Sequence, residues 1–111
     1  MNYLERVCKL VDLYVDQNGC DQEMTSEEFK QWVTQNGETS ASPSDICFNR
    51  CNKGLGEFQY GHFCLVYNLQ TKTYRLVGSS YDYSGPVWAY ANMNKRKIVG
   101  NWKNGKFEWV K

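Results

Sequence analysis

Cys47, Cys51, His62 and Cys64 place four zinc-type ligands within eighteen residues. Cys47 and Cys51 are one helical turn apart, and His62 and Cys64 share one face of a strand, so the spacing permits a closed tetrahedral site. No C-x-x-C knuckle accompanies them, and cysteines on the inner side of an element are common packing residues. We therefore expect neither a metal nor another cofactor. His62, the only histidine, has the chemistry to activate a cysteine, since a thiol must become a thiolate to attack at neutral pH. The sequence supplies neither a third orienting group nor an oxyanion site. Metal-dependent phosphodiester cleavage wants clustered carboxylates, and the second half of the chain has only Glu57, Asp82 and Glu108. Gly54-Leu55-Gly56 follows a helical pattern and reads as its stop, not as a phosphate loop opening a helix. The expectation is a protein that is not an enzyme.

Binding chemistry is better represented. In the stretch SPSDICFNRCNKG, Ser42 to Gly54, helical spacing puts Cys47, Phe48 and Cys51 on one side and Asn49, Asn52 and Lys53 on the other, with Arg50 on a flank. Asn pairs bidentately with adenine, Arg and Lys with guanine, and all of them with phosphate, so this face suits a major groove. A solvated helix face has the same composition, and that reading stays open. Tyr81, Asp82, Tyr83, Trp88 and Tyr90 surround a turn and form a candidate aromatic pocket, able to stack on an exposed base. Their alternative role is cross-strand packing. Lys95, Arg96 and Lys97 form a short basic run, and Lys72 and Arg75 a basic hairpin, both suited to tracking phosphates.

The elements that must position these residues change character along the chain. Tyr3, Leu4, Val7, Leu10, Val11 and Tyr14 give a helix stopping near Asn18-Gly19. Thr25-Ser26-Glu27-Glu28 is a capping box opening a second helix, which buries Phe29, Trp32 and Val33 and ends at Asn36-Gly37. Ser42 and Pro43 predict a third helix over 43–53. From there the period becomes that of strands: His62 to Tyr67 and Thr73 to Val77 around Asn68–Lys72, then Tyr81 to Tyr83 and Val87 to Tyr90 around Ser84-Gly85-Pro86. Lys97 to Lys103 and Lys106 to Val110 bracket Asn104-Gly105, which favours a two-residue turn and sets Trp102 opposite Phe107.

The fold class expected is α+β: three helices, then an antiparallel hairpin sheet, in winged-helix order. Residues 43–53 would be the recognition helix and the 62–77 hairpin the wing. With 111 residues the chain suits a single domain, a helical half at 1–54 and a sheet half at 55–111. Only Arg6, Lys9 and Lys30 oppose nine Asp/Glu as far as Phe48, whereas ten Lys/Arg oppose three Asp/Glu beyond it, although the net charge is +1. A basic half can bind an anionic partner in a nearly neutral chain, and the two halves can equally attract each other. Five cysteines, an odd set without close-spaced pairs of the secreted type, no signal-peptide core and no membrane-length apolar run point to reduced thiols in a cytoplasmic, soluble protein.

Ser44-Asp45-Ile46-Cys47-Phe48-Asn49-Arg50-Cys51-Asn52-Lys53-Gly54 resembles the S-D-x-C-x-N-R-x-N-K-G signature of an uncharacterised bacterial domain family. Similar features continue in Tyr74–Gly78, Tyr83–Pro86 and Val99–Lys106, so the resemblance covers Ser42 to Val110. Phe48 and Cys51 stand where the family pattern has another aromatic and a polar residue. The resemblance implies a domain that stands alone or near restriction-type nucleases, in a setting of phage defence and mobile elements, with no assigned activity. The function expected is thus a non-catalytic nucleic-acid-binding domain, engaging duplex DNA through residues 43–53 and the basic hairpins. The alternative is a protein-binding module, such as a mobile-element-encoded inhibitor or an accessory of a defence nuclease. Monomer and homodimer both remain open.

Overall fold

A computed structural model describes residues 3–40, 42–51, 62–92 and 95–109. The first two helices follow the periodicity. Helix α1 spans Tyr3–Asn18 and buries Leu4, Val7, Cys8 and Val11, then stops at Gly19, whose φ of +84° suits a residue without Cβ. Helix α2 spans Ser26–Gln35. Its capping box is complete: Thr25 Oγ1 accepts from Glu28 N at 3.2 Å, and Glu28 Oε1 accepts from Thr25 N at 2.9 Å.

The strands form two sheets. The first is antiparallel, in the order β1-β4-β3, from β1 (Glu23–Met24), β3 (Leu65–Asn68) and β4 (Thr73–Leu76). The second runs β2-β5-β6-β7, from β2 (Arg50–Cys51), β5 (Gly85–Asn92), β6 (Lys95–Lys103) and β7 (Lys106–Trp109). Strand β2 pairs parallel to β5, and the other neighbours are antiparallel. The Asn104-Gly105 turn has both residues at positive φ, 53° and 78°, and sets Trp102 opposite Phe107 as the spacing requires. The helices pack on the first sheet. Phe29, Val33, Val7, Val11, Leu65, Leu76 and Ile46 are fully buried there.

The α+β class holds, but the third helix does not form. Pro43–Ile46 is a single 3-10 turn. Ser42 gives its backbone no side-chain cap; its hydroxyl meets Ser44 Oγ instead. Beyond it the chain is extended and its backbone bonds are spent elsewhere. Cys64 N donates to Ile46 O, Phe48 N to Leu65 O and Trp88 N to Asn49 O, at 2.8–2.9 Å. A helix would have kept these groups for itself; here two separate sheets compete for them and win. The trihelical core of a winged helix is therefore absent from the described residues. Two strand expectations also shorten: His62 to Cys64 and Tyr81 to Tyr83 lie outside the strands.

Candidate functional site

The segment from Ile46 to Cys51 passes from one sheet to the other, and Asn49 fixes the crossing. Its Oδ1 accepts from Tyr67 N at 2.7 Å and from Cys47 Sγ at 3.1 Å, while its Nδ2 donates to Tyr67 O at 2.9 Å. The amide thus takes the place of a neighbouring strand for Tyr67, and Asn49 is buried. Arg50 turns the same way. Its Nη1 donates to the Tyr74 hydroxyl, and its guanidinium lies 4.5 Å from the Tyr67 ring centroid. Neither residue presents the outward face expected of a recognition helix, because the backbone conformation that would have pointed them outward is not adopted. Asn52 and Lys53 lie outside the described residues.

The other predicted contacts separate. Lys72 is exposed, at φ +59° in the β3–β4 turn. Arg75 is half-buried, with Nη2 donating to the Tyr81 hydroxyl at 2.9 Å and the guanidinium over the Tyr81 ring. Its buried Nε meets no acceptor among the described residues, which for a buried N–H costs about 1–3 kcal/mol. Lys95, Arg96 and Lys97 open β6, paired with Asn92, Tyr90 and Ala89 of β5.

Where the sheets meet, two clefts open. The first, about 480 Å³, gathers five aromatic rings: Phe48, Phe63, Tyr81, Tyr83 and Trp102. Phe48 is its hub, 5.6 Å from the Phe63 centroid, 5.7 Å from Trp102 and 6.2 Å from both Tyr81 and Tyr83. Trp102 Nε1 donates to Phe48 O at 2.7 Å, so the indole keeps its polar end satisfied and its ring on the cleft. Polar groups line the rest: His62, Ser79, Ser80 and Asp82. The loop carrying Tyr81 to Tyr83 is tied to α1 by Asp12, whose carboxylate accepts from Ser79 N at 2.6 Å and Ser79 Oγ at 2.7 Å. Gly105 closes the rim, between the exposed Lys103 and Lys106.

The second cleft, about 610 Å³, is lined by Tyr67, Tyr83, Trp88 and Arg75, with Asp21 and Glu23 among its polar groups. The five-residue aromatic pocket expected from the turn is thus divided. Tyr81 and Asp82 belong to the first cleft, Trp88 to the second and Tyr83 to both; Tyr90, on β5, pairs with Arg96 of β6. No local pattern groups Phe48, Phe63, His62 and Trp102 with them, because these come from distant segments; only the Trp102–Phe107 pairing was legible.

Cys47 and Cys64 are unsuited to nucleophilic work. Burial pushes Cys47 up to about 12 and Cys64 well above its ordinary value, so both stay protonated at neutral pH. His62 Nε2 faces Glu5 Oε1 at 4.0 Å. Among the described residues no three His, Cys, Asp or Glu side chains converge to hold a metal ion, and no helix is long and apolar enough to cross a membrane. No curated protein and no solved structure matches the chain. A family of domains of unknown function, DUF7225, matches residues 3–109, both sheets and both helices included, and the chain belongs to that family.

Proposed function

We propose that this chain is a non-catalytic nucleic-acid-binding domain that captures an unpaired strand. One base stacks on the half-buried Phe63 and Trp102, which the buried Phe48 backs, and the adjoining phosphates lie along Lys103 and Lys106. The observation that carries this reading is the first cleft: aromatic rings around a concave space, closed by a hairpin turn with an exposed lysine on each side. Aromatic platforms beside basic groups bind single strands without demanding a sequence, since every base has a π-face. A concave site admits one extruded base. A duplex instead needs an element that projects into a groove, and Asn49 and Arg50, the residues first suited to that, are engaged with Tyr67 and Tyr74.

The test is fluorescence anisotropy with a labelled single strand of about 12 nucleotides and the matching duplex, at about 50 and 200 mM salt. The single strand should bind more tightly than the duplex. Phe63→Leu, which keeps bulk and removes a π-face, should weaken it about fivefold or more, as loss of a stacking partner does. Changing Lys103 and Lys106 to Ala should flatten the salt dependence, by about 0.7 in slope for each phosphate that is no longer neutralised. Absence of binding at the lower salt, or a preference for duplex, would sink the reading and bring a protein partner forward.

A further inference from the structure

The second cleft has no part in the capture of the first base, and its chemistry differs. Tyr67 and Trp88 give it flat apolar walls, as in the first cleft; neither cleft has a lysine among its lining residues, and the first has Lys103 and Lys106 only beside the turn at its rim. The charged groups lining the second cleft are Arg75 and the exposed Asp21 and Glu23. Glu23 is held in place, with Oε1 accepting from Thr73 Oγ1 at 2.8 Å. The wall common to both clefts is Tyr83. Its hydroxyl donates to Pro86 O at 2.9 Å and its ring stacks on Phe48 at an interplanar angle of 28°, so the partition is fixed at both ends.

We propose that the second cleft is a subsite for a second base of the same strand, and that it selects bases bearing an exocyclic amino group. This rests on the single-strand reading above. A carboxylate only accepts hydrogen bonds, so Asp21 and Glu23 require a donor from the ligand. Cytosine offers both hydrogens of its N4 amino group, and adenine and guanine also carry amines; thymine and uracil have one ring N3–H and place a carbonyl oxygen where cytosine has the amine, so one of the two carboxylates meets an acceptor. Arg75 lines the cleft beside them, with its Nε buried and its Nη2 donating to the Tyr81 hydroxyl, so the selecting groups are the two carboxylates. Two carboxylates repel a phosphate, so the cleft takes the base and leaves the backbone to the lysine side of the partition.

The experiment compares labelled oligo-dC and oligo-dT, each of about 12 nucleotides and identical in charge, near neutral pH and at about 50 mM salt. Wild type should favour oligo-dC by about tenfold, the discrimination that one good side-chain-to-base contact supplies. Asp21→Asn with Glu23→Gln should bring the preference to within about twofold, because an amide donates as well as accepts, and should leave oligo-dT binding undiminished. Trp88→Leu should weaken both oligomers. Circular dichroism confirms that each variant keeps its fold. Equal binding of the two oligomers by wild type, or a preference that survives the double substitution, overturns the subsite while single-strand capture stands, provided that Phe63→Leu still weakens both. Failure of both oligomers to bind overturns capture and subsite together. A preference for arginine-rich peptide over either oligomer also overturns the subsite, and assigns the acidic cleft to a protein.

Discussion

The two sheets of this molecule are supported differently. The three-stranded sheet lies under α1 and α2, and its buried cluster takes in residues from both helices, the 3-10 turn, β3 and β4. The cluster on the four-stranded sheet contains Val87 and Val99, with Trp102 and Phe107 only partly covered. One sheet is stabilised by closing its apolar face against helices. The other leaves large rings half-buried at a cleft, where they retain area to offer a ligand. The two clefts open between these differently supported sheets, beside the crossing fixed by Asn49.

Substitutions should expose that asymmetry. Phe29→Ala, within the helix-backed cluster, should cost about 3–5 kcal/mol in urea unfolding, since a large ring leaves a cavity its neighbours cannot fill. Asn49→Ala should follow, at about 2–4 kcal/mol, because Tyr67 N and O are deprived of their partner together. It should also weaken strand binding, as it loosens the joint between the sheets. Val87→Ala, in the smaller cluster, should cost about 1–3 kcal/mol; equal losses at Phe29 and Val87 would break the comparison.

A further effect is a matter of pH. Cys47 ordinarily titrates near 9.0 and is pushed up to about 12 by burial. The unfolded chain therefore releases this proton first as pH rises. Stability from Cys47 is complete below pH 9 and declines between there and 12. Cys47→Val should flatten that part of the alkaline stability curve, read as urea midpoints at stepped pH. Native protein near pH 8 should also be alkylated at the partly exposed Cys20 well before the buried Cys47 and Cys64.

Legibility from sequence followed the range of the interactions. Both helices, the capping box at Thr25 and the Asn104-Gly105 turn are settled by residues within a few positions of one another, and all form where the local signals put them. Residues 43–53 carried equally good local signals, Pro43 at the first position above all, yet over the described part, 43–51, the helix does not form. The hydrogen bonds that decide their conformation come from Cys64, Leu65 and Trp88, which no local pattern reveals. Strand β1, with two residues, is too short to show a period and takes its conformation from β4. The clefts were hidden for the same reason. Tyr81, Asp82 and Tyr83 were visible as an aromatic cluster, whereas Phe48, Phe63 and Trp102 reach the same space only through the crossing and the β5–β7 sheet.

That crossing also bears on how the chain finds its fold. The β3–β4 and β6–β7 hairpins join neighbours in sequence and can close early, on the microsecond scale of hairpins. Residues 46–51 must instead meet Leu65 through Cys47 and Trp88 through Arg50, and each such closure orders a longer loop before any contact rewards it. The slow step of folding is then expected to be the threading of one extended segment between two preformed hairpins. Asn49→Ala should lengthen the refolding time more than Val87→Ala does, and both clefts, which share walls with that segment through Phe48 and Asn49, should take shape only when it is complete.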